Sequence, residues 1–233
     1  MTIHLLLFAS YRDQVGQREM TLELPEHTTV RGVADTLQAD YLDLSLKGAL
    51  CALNEQYVSP DQEVRGGDTL AFFPPVSGGE IDGLETDSLP NHLFVTEGVL
   101  DLAHLHALAV ADPYGAVASF VGTVRSPNSG QEVEYIDYEG YEGMILTQMK
   151  VVVDELRAQF DIGKIVISHR LGRLRPSEAS IMIVVSSRHR RAALEATHAC
   201  IDRVKELLPV WKREVSAQGE AWVEGSSAAG TTL

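Results

Sequence analysis

The chain has 233 residues and a formal net charge of −14, with 45% hydrophobic and 22% charged side chains. That length builds one large domain or two small ones, each with a core of its own, and the balance is that of a globular chain. The acidity argues against a general binder of nucleic acid or anionic membrane, because phosphate contacts need Lys and Arg in excess.

The opening, MTIHLLLFASYRDQ, lacks a basic n-region and a small-residue cleavage site, so it reads as a strand rather than a signal peptide. No apolar run reaches the roughly 18 residues of a spanning helix, and a cytoplasmic protein is the expectation. TIHLLLFASY is of strand length, and MTLEL at 20–24 alternates as a half-buried strand does, which predicts a hairpin. In HTTVRGVADTL, Thr28 or Thr29 is the expected N-cap, with Val30, Val33, Ala34 and Leu37 on one helical face. ALCALNEQYV and DTLAFFPPV read as further strands, separated by turns at Pro60, Gly66 and Gly67. The order β-β-α-β-β predicts a compact α+β domain over residues 1–79.

Residues 72–83, FFPPVSGGEIDG, carry a Gly-Gly pair that reads either as a hinge or as a reactive terminus. The stretch GGEIDGLETDSLPN has the composition of an exposed linker, placed at 80–91, which spans at most ~40 Å. The remainder, 92–233, forms the second expected domain, with its last residues expected to be disordered. There HLFVTEG reads as a strand, DLAHLHALAV as a helix, and GAVASFVGTVR and VEYIDYEGY as strands around the polar loop SPNSGQ. A long helix is expected from Glu142 to Phe160. KIVISHRLG and ASIMIVVSS are the next strands, and SSRHRRAALEATHACIDRVKELL is a helix stopped by Pro209.

Ten basic residues lie between Arg170 and Arg213, a concentration that suits a pocket for a small anion or, more plainly, a solvated helix face. Ser186 or Ser187 is the expected cap of the last helix, and Arg188, His189, Arg190 and Arg191 crowd its first turn. Cations there oppose the helix dipole at ~0.3–1 kcal/mol each, unless an anion sits among them or they pair with acidic neighbours. Lys205 falls at the edge of the apolar stripe of Ala193, Thr197, Ile201, Val204 and Leu208, and Lys212 lies just past the helix. A lysine beside other cations is a candidate proton acceptor or nucleophile; an ordinary exposed lysine is the alternative. Trp211 reads as core and His169 as a satisfied structural histidine, with His189 ranked above it as a functional candidate. Cys51 and Cys200 show neither CxxC nor metal spacing and read as packed small hydrophobes. No nucleotide or hydrolase motif stands out, and nothing proposes a metal.

The stretches LLLFASYRDQVG, ALNEQYV and FFPPVSGG resemble the small sulfur-carrier subunit of the molybdopterin synthase family, a ubiquitin-like β-grasp protein. FVGTVR, YEGYEGM, ISHRLG, SSRHRRAA, VKELLPVWKRE and GEAWVEG resemble its large catalytic subunit, of α/β hammerhead type. The resemblance implies a sulfurtransferase that converts cyclic pyranopterin monophosphate into molybdopterin, with sulfur carried as a thiocarboxylate on Gly79 and no tightly bound cofactor. Arg125, His189 and Arg190 match the substrate-binding positions, and Lys205 and Lys212 the catalytic lysines. A homodimer through the large-subunit domain, a carrier-activating adenylyltransferase and a sulfur donor are the implied partners. Two departures stand out. Gly79 is in peptide linkage to Glu80, which implies cleavage at that bond before activity, since an amide cannot be thiolated as a carboxylate can. If the bond stays whole, the chain is instead a binding or scaffold module. Ser177 stands where a glycine is expected before Glu178.

Overall fold

The computed structural model describes residues 1–74, 92–128 and 130–223. They fall into two compact units, one within residues 1–74 and one within 92–223. Gly78, Gly79 and Glu80, the expected linker at 80–91 and the last ten residues lie outside the described residues.

In the first unit the chain runs β1 (Thr2–Leu7), α1 (Ala9–Val15), β2 (Glu19–Glu23), α2 (Val30–Asp40), β3 (Leu50–Leu53), β4 (Gln56–Tyr57) and β5 (Thr69–Phe73). The five strands form one sheet in the order β2-β1-β5-β3-β4, with β1 and β5 parallel at its centre. This is the ubiquitin-like β-grasp arrangement, with α2 packed across one face. The strand period of two sends Ile3, Leu5 and Leu7 of β1 and Leu70 and Phe72 of β5 into the same cluster as Val30, Val33, Ala34 and Leu37 of α2. Thr29 caps α2, its hydroxyl accepting from the Gly32 N–H at 3.3 Å. On the other face Phe73 meets Phe8 and Tyr57 edge-on, at 6.3 and 5.8 Å between ring centroids.

Two sequence expectations are corrected here. The predicted hairpin is a pair of antiparallel strands joined by a helix: β1 ends at Leu7, and α1 occupies ASYRDQV before closing on Gly16 at φ 81°. The single strand expected over ALCALNEQYV is a tight hairpin, β3 and β4, turning at Asn54 and Glu55, both with positive φ. A two-residue turn with φ positive at both positions matches the twist of the flanking strands. Asn54 anchors it, donating to Asp68 Oδ1 and accepting from the Thr69 N–H.

The second unit continues with β6 (His92–Thr96), α3 (Leu102–Ala109), β7 (Ala116–Thr123), β8 (Tyr135–Gly140), α4 (Glu142–Gln159), β9 (Ile165–Arg170), β10 (Gly172–Leu174), β11 (Ala179–Ser187), α5 (Arg190–Leu207), β12 (Val210–Ser216) and β13 (Gly219–Val223). One sheet runs β6-β9-β11-β7 and the other β10-β8-β12-β13. The first is covered on both faces, which is why β9 and β11 are nearly continuous apolar runs. Val166, Met182 and Val184 point to α3 with Leu105 and Ala109. Their neighbours Ile165, Ile167, Ile181, Ile183 and Val185 point the other way, into the main core with α4 and α5. Cys200 lies in that core and Cys51 in the first unit's, and burial pushes both thiols up to about 12. β12 and β13 form a hairpin that the charged sequence WKREVSAQGEAWV did not announce.

Ser177, the residue standing in the glycine position, sits at φ 75°, in the left-handed region. Its N–H donates to the Val124 carbonyl at 2.8 Å, so the turn it shapes ties the start of β11 to the end of β7. A side chain pays a steric penalty in this conformation that glycine escapes, partly offset by glycine's greater unfolded-state entropy. Ser177→Gly is therefore expected to stabilise the second unit by about 0.5–1 kcal/mol in urea denaturation; a loss of stability would contradict this reading of the turn.

Candidate active site

The candidate cations on and beside α5 lie towards its two ends. At its start, the serine cap expected from the sequence is corrected. Ser186 and Ser187 complete β11, where their hydroxyls donate to the carbonyls of Lys164 and Asp161, and His189 is the N-cap, with no side-chain capping bond. Arg190 is the first helical residue. Arg191 pairs with Glu195 one turn on, at 2.7 Å.

At the other end, helix propagation stops before Pro209, and the chain enters β12 directly. Lys205 is exposed in the last turn, where a cation favours the dipole. Lys212 is a strand residue of β12. Period-two alternation puts Lys212 and Glu214 on one face, opposite Tyr138 and Ile136 of β8, and puts Trp211 and Arg213 on the other. Gly140 permits the close approach where β8 and β12 begin to pair. A Cβ there would lie 2.6 Å from Ile145 Cδ1 and 3.3 Å from the Pro209 carbonyl oxygen. That is the physical reason for the first glycine in YEGYEG.

The Lys212 face also receives Arg125. Val124, Val133, Ile136 and Leu174 form a small core, and Val124 plants the loop after β7 beside β8. Arg125 then donates through Nε and a terminal nitrogen to Asn128 Oδ1, at 3.1 and 2.8 Å. Asn128 Nδ2 donates to both carboxylate oxygens of Glu214, at 2.8 and 2.9 Å. Glu214 Oε1 lies 3.9 Å from Lys212 Nζ. One chain of contacts thus joins Arg125 to Lys212 through two residues that the sequence reading did not single out. Asn128 showed only as part of a polar loop, and Glu214 lies 86 residues further on, so no local spacing signals the pair.

The structure brings Arg125 and Lys212 together, with Lys205 at the helix end that leads into β12. It does not bring His189 and Arg190 to them. From Arg190 to Lys205 is fifteen steps of helix, about 22 Å. β7 gives the same answer independently: its first residue, Ala116, pairs with Ser187 beside His189, while Thr123, near Arg125, pairs with Ala179 at the far end of β11. The cation-rich stretch is also less uniform than its sequence suggests. Arg170, Arg173, Arg191, Arg203, Lys212 and Arg213 all lie within ion-pair distance of a carboxylate. Arg203 bridges α5 to Glu155 of α4 through two bonds of 2.7 and 2.8 Å, and pairs with Glu206 on its own helix. Burial raises the Asp137 carboxyl, but hydrogen bonds from Arg173 and Arg213 outweigh it and hold the group below its usual range.

His169 is structural. It is buried on β9, its Nδ1 lies 3.1 Å from the Arg170 carbonyl oxygen, and the Tyr138 ring meets it edge-on at 5.8 Å. Burial pushes its imidazole down to about 4, with the Arg170 carbonyl opposing. Trp211 is buried, as a core aromatic is. Among the described residues no group of three or more His, Cys, Asp or Glu is placed to hold a metal ion, and no helix is long and apolar enough to cross a membrane.

Comparison with known proteins gives this architecture a family. The ThiS family matches residues 5–79 and the MoaE protein family residues 95–207. A molybdopterin synthase catalytic subunit from Aedes aegypti is 43% identical over 135 residues, covering 58% of this chain and 87% of that protein. One from Pyrococcus abyssi is 42% identical over 119 residues, covering 51% of this chain and 80% of its own. The crystal structure of molybdopterin synthase from Staphylococcus aureus superposes with a TM-score of 0.54 at 31% identity, covering 55% of this chain and 94% of that one. The chain therefore combines a ubiquitin-like segment of the ThiS family with a catalytic segment. It belongs to the MoaE family of molybdopterin biosynthetic enzymes.

A neutral buried histidine makes acid stability a direct probe of the strand that carries it. The unfolded chain takes up this proton at an ordinary pKa of 6.5 and the folded chain only near 4, so the contribution is intact above about 6.5 and lost as pH falls through that window. Between pH 7 and 4, wild type is expected to lose roughly 3 kcal/mol more unfolding free energy than His169→Leu. Parallel pH profiles for the two proteins would contradict the neutral assignment.

Proposed function

We propose that the chain is a precursor of a molybdopterin synthase, with a sulfur carrier at 1–79, a linker at 80–91 and a catalytic domain at 92–233. Cleavage after Gly79 frees a carboxylate, which a carrier-activating adenylyltransferase and a sulfur donor convert to a thiocarboxylate. Its sulfur attacks a carbon of cyclic pyranopterin monophosphate, forming a C–S bond as an oxygen substituent leaves. Water then cleaves the thioester between that sulfur and the Gly79 carbonyl carbon, leaving sulfur on the pterin and a carboxylate on the carrier. A second loaded carrier delivers the second sulfur of the dithiolene. Lys205 and Lys212 stabilise the developing negative charge and move protons. Arg125, His189 and Arg190 bind the anionic substrate. The reaction is placed in the cytoplasm.

The observation that carries this reading is the chain of contacts from Arg125 to Lys212, which holds a guanidinium from the loop after β7 beside the face of β12 that carries the lysine. The family relationship supports the substrate class. The separation of His189 and Arg190 from that face then has a functional meaning: a second copy of the chain supplies them, so each complete site draws on two subunits.

Two measurements test this reading. Lys205→Ala is expected to abolish dithiolene formation from thiocarboxylated carrier, and near-normal turnover would sink the lysine's role. Lys205→Ala and Arg190→Ala chains, each inactive alone, are expected to recover about a quarter of wild-type activity when co-expressed. Random pairing makes half the dimers mixed, with one intact site in two. No recovery on mixing would contradict the shared site.

A further inference from the structure

Asn128 occupies a position where its chemistry is unusually constrained, and this inference rests on the function proposed above. Its amide stands between an arginine, which has only donors, and a carboxylate, which has only acceptors. The oxygen faces Arg125 at 2.8 and 3.1 Å and the NH2 faces Glu214 at 2.8 and 2.9 Å. One orientation of the amide satisfies both neighbours at once. The result is an arginine and a glutamate held close to the same side chain without a direct ion pair between them.

That arrangement matters for charge. An arginine locked in a bidentate carboxylate pair presents a dipole to a third group, and its field falls off faster than that of a monopole. An arginine held by a neutral amide is fixed in direction yet keeps its full positive charge. The other arginines on the β8, β10 and β12 sheet differ in this respect. Arg173 and Arg213 both bond Asp137, and Arg213 also bonds Glu220. Glu214, relieved of Arg125, stays beside Lys212.

We propose that Asn128 is a positioning residue that separates the Arg125 and Glu214 charges, so that the Arg125 guanidinium remains oriented and unneutralised for the phosphate of the substrate. An aspartate at this position would accept from Arg125 as well as asparagine does, but would neutralise it and repel Glu214. An alanine would leave Arg125 undirected and open to collapse onto Glu214.

The test is equilibrium binding of cyclic pyranopterin monophosphate to the full chain by calorimetry, for wild type, Arg125→Ala, Asn128→Asp and the double variant, with melting temperatures alongside. Asn128→Asp is expected to weaken binding about tenfold or more, and to lower the melting temperature because it loses its bonds to Glu214 and repels that carboxylate. In the Arg125→Ala background it is expected to have no further effect on binding, because its action runs through that guanidinium. Should the aspartate variant fail to fold, Asn128→Ala in the same cycle is expected to weaken binding in the same non-additive way. Wild-type affinity in both Asn128 variants, or losses that simply add to that of Arg125→Ala, would overturn the inference while leaving the proposed function standing. No binding by the wild-type chain would instead overturn the proposed function, and this inference with it.

Discussion

The length of α5 is the constraint on which the site depends. Its stripe of Ala193, Ala196, Cys200, Ile201, Val204 and Leu207 is buried against the sheet and α4, and Arg203 clamps it to Glu155. A helix packed so completely has no freedom to bring its ends together. His189 and Arg190 at one end and Lys205 at the other are therefore fixed about 22 Å apart. Pro209 then ends the helix and launches β12, which delivers Lys212 and Glu214 to the face where Val124 has already planted Arg125. In the proposed mechanism, substrate chemistry that needs all of these groups is shared between two chains.

Charge follows the same economy of placement. The protein is acidic, and several arginines of its second unit are absorbed in pairs that tie one element to another, Arg203 to Glu155 and Arg173 and Arg213 to Asp137 among them. Arg170 bonds Glu178 at 3.1 Å, and Arg173 stacks over Tyr135 at 3.7 Å while bonding Asp137. The Arg175 N–H first, and then Arg170, hold the Glu178 carboxyl below its usual range, so that turn is tied at low cost. Against this background an arginine held by an amide is conspicuous. In the proposed mechanism the contrast separates Arg125, which meets substrate, from the arginines that bond Asp137 on the same sheet.

Much of this was legible in the sequence where burial and period coincide. Val30, Val33, Ala34 and Leu37 of α2, with the Thr29 cap, and the long apolar run of β11 all lie where their patterns put them. Short or strained elements were not legible. ASYRDQV opens with Ala9 at φ 49° and has no side-chain cap, so the helix has no start signal. The β3–β4 turn uses Asn54 and Glu55 where Asn-Gly would have announced it. β12, VWKREVS, puts three consecutive charged residues just after a helix-stopping proline, which reads as a polar loop until its partners β8 and β13 are known. The Asn128 to Glu214 contact is purely tertiary, and the cation-rich stretch looked like one cluster because sequence distance hides the rigid helix between its ends.

The fusion places a ThiS-family segment and a MoaE-family segment on one chain, and in the proposed function one covalent bond, Gly79 to Glu80, decides between a synthase precursor and an inert pair. The β-grasp unit supplies the stable body, and Gly79, beyond the described residues, is the proposed carrier of the sulfur. The most direct measurement is an intact mass spectrum of the protein purified from its own cells. The account predicts a fragment ending at Gly79, part of it heavier than the plain carboxylate by the difference between sulfur and oxygen. An active protein present only as the uncleaved 233-residue chain would contradict it.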